Sequence, residues 1–223
     1  MRYDAESVAQ TLRVYYEFIA VVDDAIDSFG LGLSAKIASR VSWTPESPPL
    51  ENARETYEVV SDRLRAEIPS TSFSNIIAEL NLLLEAVIIE DGALTFAKFI
   101  DARERVGRLT ASVSYHLIEP SLDRSDDTVE EFMSEVGAIG CLVDSLIDFR
   151  YDVHRTKVRW HRSIFDWFRL VGLVCSRGRW LLYRYPTLVT VFLGAVLDNF
   201  LDRFTSPFAT RHSASARFSN LPN

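Results

Sequence analysis

Along most of this chain apolar side chains recur at steps of three and four, the spacing of one helix face, and no stretch alternates at period two for long. Residues 5 to 27 place Val8, Leu12, Tyr15, Tyr16, Ile19 and Val22 at such steps, and Gly30 and Gly32 end the pattern. A short helix is expected from Lys36 to Val41, before the Pro-rich connection Thr44-Pro-Glu-Ser-Pro-Pro. From Asn52 to Ile68 the pattern is helical and charged, with Tyr57, Val60 and Leu64 on the buried side and Pro69 closing it. Ser70, Thr71 and Ser72 offer N-caps for an almost wholly apolar helix over 74 to 91.

A long helix is expected from Thr95 to Glu119, charged in its first half (Lys98, Asp101, Arg103, Arg105, Arg108) and apolar in its second, with Pro120 as the stop. Thr128 with Glu131 three residues on matches a capping box and opens the next helix. Apolar patterns follow at roughly 163 to 183 and 187 to 203, and residues 204–223, rich in Ser, Thr and Asn, read as a polar tail. The expectation is an all-α bundle of seven or eight helices, one domain over residues 1–203.

Composition narrows the partners. A chain of 223 residues with 48% hydrophobic residues is long enough for one sizeable core. Its net charge of -7 argues against a nucleic-acid backbone as the main partner. Cys141 and Cys175 have no disulfide or metal-ligand spacing and suit a reducing interior. The first residues lack the apolar core of a secretion signal, and the most apolar window, Pro186 to Leu197, is too short for a transmembrane segment. A cytoplasmic protein is therefore expected. The apolar helices near 74 to 91 and 187 to 203 suit either the bundle core or the interface of a homodimer.

Two acidic clusters carry the candidate chemistry. Asp144, Asp148 and Asp152 recur every four residues inside an apolar run with Leu142, Val143, Leu146, Ile147 and Phe149. On a helix they share one stripe, each about 6 Å further along the axis. Carboxylates among apolar residues repel one another and lose hydration unless a cation compensates them, and hard divalent ions are the usual compensation. A solvated acidic face is the plainer alternative for this series by itself. Asp23, Asp24 and Asp27 form a second cluster at the end of another apolar helix. Acids there oppose the macrodipole, so local helix physics does not account for them. Two facing acidic helices can hold two or three Mg²⁺ ions, which favour a phosphorylated ligand.

Tyr16-Glu-Phe-Ile-Ala-Val-Val-Asp-Asp-Ala-Ile-Asp resembles the first aspartate-rich motif, DDxxD, of the all-α class I isoprenoid synthases, and its flank is most similar to the squalene and phytoene synthase branch. Gly137 to Asp152 resembles that branch's second motif, with Asp148 and Asp152 on its two aspartates and Ile147 where it has arginine. The same segment is similar to the terpene cyclase triad NxxxSxxxE at Asp144, Asp148 and Asp152, and to a second DDxxD with Ser145 replacing one Asp. The resemblance implies an isoprenoid-synthase-type bundle in which Asp23, Asp27, Asp148 and Asp152 bind Mg²⁺ and are catalytic, with Asp24 and Asp144 in support. It implies an enzyme that ionises an allylic prenyl diphosphate of fifteen to twenty carbons and then cyclises or transfers the carbocation. No Gly-Lys-Arg-like element for a second, homoallylic diphosphate is visible and no Arg-Arg pair follows the first motif, so against the resembled families a single allylic substrate fits better than chain elongation.

Arginine suits diphosphate by its bidentate fork. Arg105 and Arg108 on the preceding helix, with Arg108 first, and Arg150, Arg155 and Lys157 beside the second motif are the candidates, each also readable as a solvated surface charge. Tyr16, Tyr115 and Phe149, with Tyr15 and Phe18, could line a substrate pocket or simply be core. Gly137 and Gly140 could leave room for a prenyl chain or allow close helix packing. His116 reads as a satisfied core histidine. The alternatives are a head-to-head prenyl synthase of squalene or phytoene type, a Mg²⁺-dependent helical diphosphohydrolase, and a non-catalytic helical interaction protein.

Overall fold

The computed structural model describes residues 5–29, 56–122, 126–155 and 163–194; within them the side chains of 5, 24–29, 56, 57 and 148–155 fall outside the description. The helix expected at Lys36 to Val41, the end of the 187 to 203 pattern and the polar tail lie outside the described residues. The described helices are α1 (Ala5–Phe29), α2 (Thr56–Glu67), α3 (Phe73–Asp91), α4 (Phe96–Ile118), α5 (Asp127–Arg155) and α6 (Ile164–Arg184), with a 3-10 turn at Glu119–Ser121. Residues 186–194 are helical too. No strand occurs among the described residues, so the all-α expectation holds.

The chain divides into two compact units, Met1–Trp180 and Leu181–Asn223. In the first, α4 packs most extensively against α5 and α3, and α1 lies on α2 and α4. Val14, Tyr15, Phe18 and Val22 of α1 meet Val60 and Leu64 of α2, Ile76 and Leu80 of α3, and Val113 and Leu117 of α4 in one core cluster. The buried stripe of α1 runs through Thr11, Val14, Tyr15, Phe18 and Val22, rotated from the one the sequence suggests, and leaves Tyr16 51% exposed. Thr11 explains part of the rotation, since its hydroxyl donates to Glu67 Oε2 at 3.0 Å and turns that side of α1 toward α2. An ion pair between Arg63 and Glu17 at 2.9 Å joins the same helices.

The α4–α5 pair crosses at glycines. A Cβ on Gly107 would lie 2.3 Å from the Gly137 carbonyl oxygen, and one on Gly137 would lie 2.3 Å from that of Gly107. Only residues without side chains allow this backbone-on-backbone approach, so Gly137 serves helix packing. Gly140, one turn on, is exposed, and a Cβ there would meet nothing within 4 Å.

Helix starts follow local chemistry, with two departures from expectation. Thr95 caps α4, its hydroxyl accepting from the Lys98 N–H at 3.3 Å. Ser72 occupies the N-cap of α3 without a side-chain capping bond. α5 is capped by Asp126, whose Oδ1 accepts from the Thr128 N–H at 2.9 Å, so Thr128 belongs to the first turn and is not the cap. Tyr115 holds that cap: its hydroxyl accepts from the Asp126 N–H at 3.0 Å and donates to the Asp126 carbonyl at 3.3 Å. α6 opens with a reciprocal cap in which Ser163 Oγ accepts from the Asp166 N–H at 3.3 Å and Asp166 Oδ2 from the Ser163 N–H at 3.0 Å.

α6 docks through Leu170, Leu173 and Val174 onto Ile100, Leu142 and Leu146. In the second unit Leu181, Tyr185 and Val189 are buried at four-residue steps. Their helical bonds run on through Tyr185: its N–H donates to Leu181 at 2.8 Å, and Val189 donates to Tyr185 at 3.0 Å.

Candidate functional site

The glycine crossing fixes which charged residues of α4 face α5. One turn outward from Gly107 toward the start of α4 is Arg103, and one turn outward from Gly137 along α5 is Cys141. In this antiparallel pair the two become neighbours: Arg103 Nε donates to the Cys141 carbonyl at 3.2 Å and to Ser145 Oγ at 3.0 Å. Its remaining nitrogens reach two carboxylates, Nη1 to Glu90 Oε1 of α3 at 3.0 Å and Nη2 to Asp144 Oδ2 of α5. One guanidinium thus ties three helices together. Ser145 is buried and donates back to the Cys141 carbonyl at 3.0 Å.

The first acidic cluster acts on the same group. Asp23 of α1 is exposed and interacts electrostatically with both Glu90 and Arg103. Burial pushes the Glu90 carboxyl above its usual range; Arg103 counteracts this, while Asp23 and Asp144 add to it. For Arg103 burial alone would weaken the cation, but Glu90, Cys141, Asp144 and Asp23 together raise its pKa, so it stays charged. Burial likewise raises the Cys141 thiol, with Arg103 opposing. Glu90 and Asp144 bond the guanidinium directly, and Asp23 contributes only a weaker electrostatic pull. Among the described residues no group of three or more His, Cys, Asp or Glu side chains is disposed to hold a metal ion.

The other expected site residues sort by helix and by face. Asp24 and Asp27 lie on α1, and Asp148, Asp152 and Arg155 on α5, as far as the backbone goes; their side chains, with those of Phe149 and Arg150, lie outside the described residues, as does Lys157. Asp144 stands on the open flank of α5 with its side chain 60% exposed, beside an exposed Ile147, so this end of the stripe is not sunk among apolar residues.

Arg108 is turned about 140° from Arg103 around α4 and does not join the cluster. Both of its terminal nitrogens go to Glu135 of α5, and Nη2 also lies 3.7 Å from Glu104. Glu104 is itself gripped by Arg177 at 3.2 and 3.0 Å. Arg105 is exposed and 3.8 Å from Glu85.

Tyr115, Tyr15 and Phe18 are core residues. Tyr16 is half exposed, its hydroxyl 3.4 Å from Ser114 Oγ. An open, polar pocket of about 480 Å³ lies beside Arg108, lined also by Ser112, Asp127, Glu130, Glu131, Ser134 and Glu135. Four carboxyl groups make it unsuited to a prenyl chain. Nearby, His116 sits between Glu79 at 3.3 Å, Glu119 at 3.3 Å and Glu130 at 3.7 Å. It is a satisfied histidine whose partners are carboxyl groups and not core residues.

No family model, curated protein or solved structure matches this chain. The site is therefore read from its own residues. Arg103 is the member that sequence reasoning passed over in favour of Arg105 and Arg108. The clue was present in the two glycines: once Gly107 is paired with Gly137, the arginine one turn away must face the aspartate stripe.

Proposed function

We propose that this chain is a Mg²⁺-dependent enzyme that ionises an allylic prenyl diphosphate, of fifteen to twenty carbons, and cyclises or transfers the resulting cation. The observation that carries the reading is that one partly buried guanidinium, Arg103, bonds Asp144 of the second aspartate cluster and is acted on electrostatically by Asp23 of the first. The motif spacing on α1 and α5 supports it, since Asp24, Asp27, Asp148 and Asp152 continue the same helices.

In this reading Asp23, Asp24 and Asp27 with Asp144, Asp148 and Asp152 hold the metal. Bound Mg²⁺ supplies Lewis-acid neutralisation of the leaving diphosphate. The allylic carbon–oxygen bond breaks with its electron pair leaving on the diphosphate oxygen, and the cation then loses a proton or is captured by an acceptor. Arg103 is a positioning residue: by binding Glu90 and Asp144 it keeps the aspartate-bearing part of α5 in register with α3 and α4. Arg108 serves the α4–α5 contact and Arg105, about 200° from Arg103 around α4, lies beside Glu85, which leaves Arg155 and Lys157 as diphosphate ligands.

The test is a thermal-shift titration with farnesyl and geranylgeranyl diphosphate, with and without Mg²⁺, followed by mass spectrometry of the extracted products. A Tm rise that needs both components, lost in Asp23→Asn and Asp148→Asn, is expected. A Tm indifferent to both, with no product, overturns the reading. One observation favours a second reading, an ion-pair network that only stabilises the bundle: Arg103 already engages Glu90 and Asp144 within the fold. In that case Asp144→Asn lowers stability and no diphosphate is consumed.

A further inference from the structure

The outward face of α6 is the least expected surface of the molecule. At about 100° per residue, Ile164, Phe165, Phe168, Arg169, Gly172, Cys175, Ser176, Arg179 and Trp180 fall on one arc of about 160°. Leu170, Leu173, Val174 and Arg177 fall on the opposite side, where the aliphatic residues pack on Ile100 and Leu142 and Arg177 binds Glu104. The arc is the open side in fact as well as in pattern: Ile164 is 62%, Phe165 72% and Phe168 60% exposed.

The charge on this arc has one sign. Asp166 is the helix's one acid between Ile164 and Trp180, and it is buried at the cap. Arg169, 3.7 Å from Asp166, keeps its side chain 71% exposed. Arg179 is exposed as well. A chain of net charge -7 therefore presents on this face aromatic and aliphatic side chains interleaved with arginines and no exposed acid.

We propose that this face of α6 docks on the surface of an anionic lipid bilayer. Phe165, Phe168 and Ile164 enter the boundary between headgroups and acyl chains, and Arg169 and Arg179 contact the lipid phosphates and carboxylates. Charge complementarity selects this occupant. A small soluble anion would leave three large apolar side chains in water, and a neutral apolar partner would leave the arginines without counter-ions. A second copy meeting this face across a two-fold axis would bring arginine toward arginine. The contact is peripheral, since among the described residues no helix is long and apolar enough to cross a membrane.

The test is co-sedimentation of the full chain with vesicles of phosphatidylcholine alone, or of phosphatidylcholine with phosphatidylserine at about 30%, at low and high salt. Binding to the anionic vesicles alone, weakened by salt, is expected. Phe165→Ser/Phe168→Ser should abolish it, and Arg169→Gln or Arg179→Gln should weaken it about five-fold each. Circular dichroism and Tm checks that these exposed-site variants remain folded. Absence of binding to both vesicles, equal binding to both, or variants that bind like the parent would overturn the proposal. So would a dimer in light scattering that Phe165→Ser/Phe168→Ser converts to monomer, because a second copy would then cover the face.

Discussion

Two alanine substitutions three residues apart on α5 test how α4 and α5 are held. At Gly137 a methyl group would lie 2.3 Å from the Gly107 oxygen and 2.7 Å from the Ala111 Cβ. Ordinary contact begins at 3.4 Å, so the helices must part by about 1.1 Å. The obstructing oxygen is backbone, and no rotamer change relieves it. A radial gap of about 0.5–1 Å forfeits a quarter to a half of each dispersion contact it opens, and overpacking of this kind costs about 1–3 kcal/mol or more. Replacing a helical glycine by alanine returns about 1 kcal/mol. The obstructing atom being backbone puts the cost at the upper end of that range, so Gly137→Ala should lose up to about 2 kcal/mol net. Gly140→Ala meets open space, so only the propensity gain remains, about 0.5–1 kcal/mol of added stability. Urea denaturation followed by far-UV circular dichroism measures both. Equal stability of the two variants would refute the crossing geometry, and a Gly137→Ala protein of full stability but altered product would restore that glycine to a substrate pocket.

Other consequences follow from the charged clusters and the caps. Arg103→Ala leaves the partly buried Glu90 without its cation and should cost about 1–3 kcal/mol, with Glu90→Gln in the same chain recovering part of it; a loss below about 1 kcal/mol in denaturant titration would show that the guanidinium is not essential to the helix contact. Glu79, with Oε2 buried and partnerless, has its carboxyl pKa raised by burial against the opposing pull of Ser112 and His116. A raised acid favours the folded state while protonated, so its contribution is full below the unfolded value near 4.5 and is lost as pH rises through the folded one. The stability of Glu79→Gln relative to the parent should accordingly rise with pH across that window, and a flat or falling difference in a pH series of unfolding curves would contradict it. Ser163→Ala should cost about 1 kcal/mol by removing the α6 cap, and a Tm unchanged from the parent would discount that cap.

The helices themselves were legible because long amphipathic stripes survive any tertiary arrangement; α3 and α4 begin within a residue or two of expectation. What periodicity could not supply was rotation about each helix axis. On α1 almost every flank of the stripe is apolar or aromatic, so periodicity puts Tyr16 on the buried side, whereas Thr11 and the packing of α2 bury Phe18 instead. On α4 the choice between Arg103 and Arg108 depended on the glycine crossing, a long-range contact. The α5 cap was misplaced by two residues because Thr128 and Glu131 fit a local rule, whereas Asp126 is set by a hydroxyl from another helix. Of the two aspartate clusters, Asp144 bonds Arg103 directly while Asp23 acts on it only as the weakest of four surrounding charges; the side chains of Asp27, Asp148 and Asp152 lie outside the described residues.

The Tyr115–Asp126 clasp also bears on the order in which the chain assembles. It spans only eleven residues, so closing it costs far less chain entropy than bringing α1 to α4 across more than ninety. With the glycine crossing set by the same hairpin, α4 and α5 can pair early and offer α1 a finished groove. Removing the Tyr115 hydroxyl should then slow refolding, a kinetic signature distinct from the faster unfolding expected when a late-forming contact such as Thr11–Glu67 is cut.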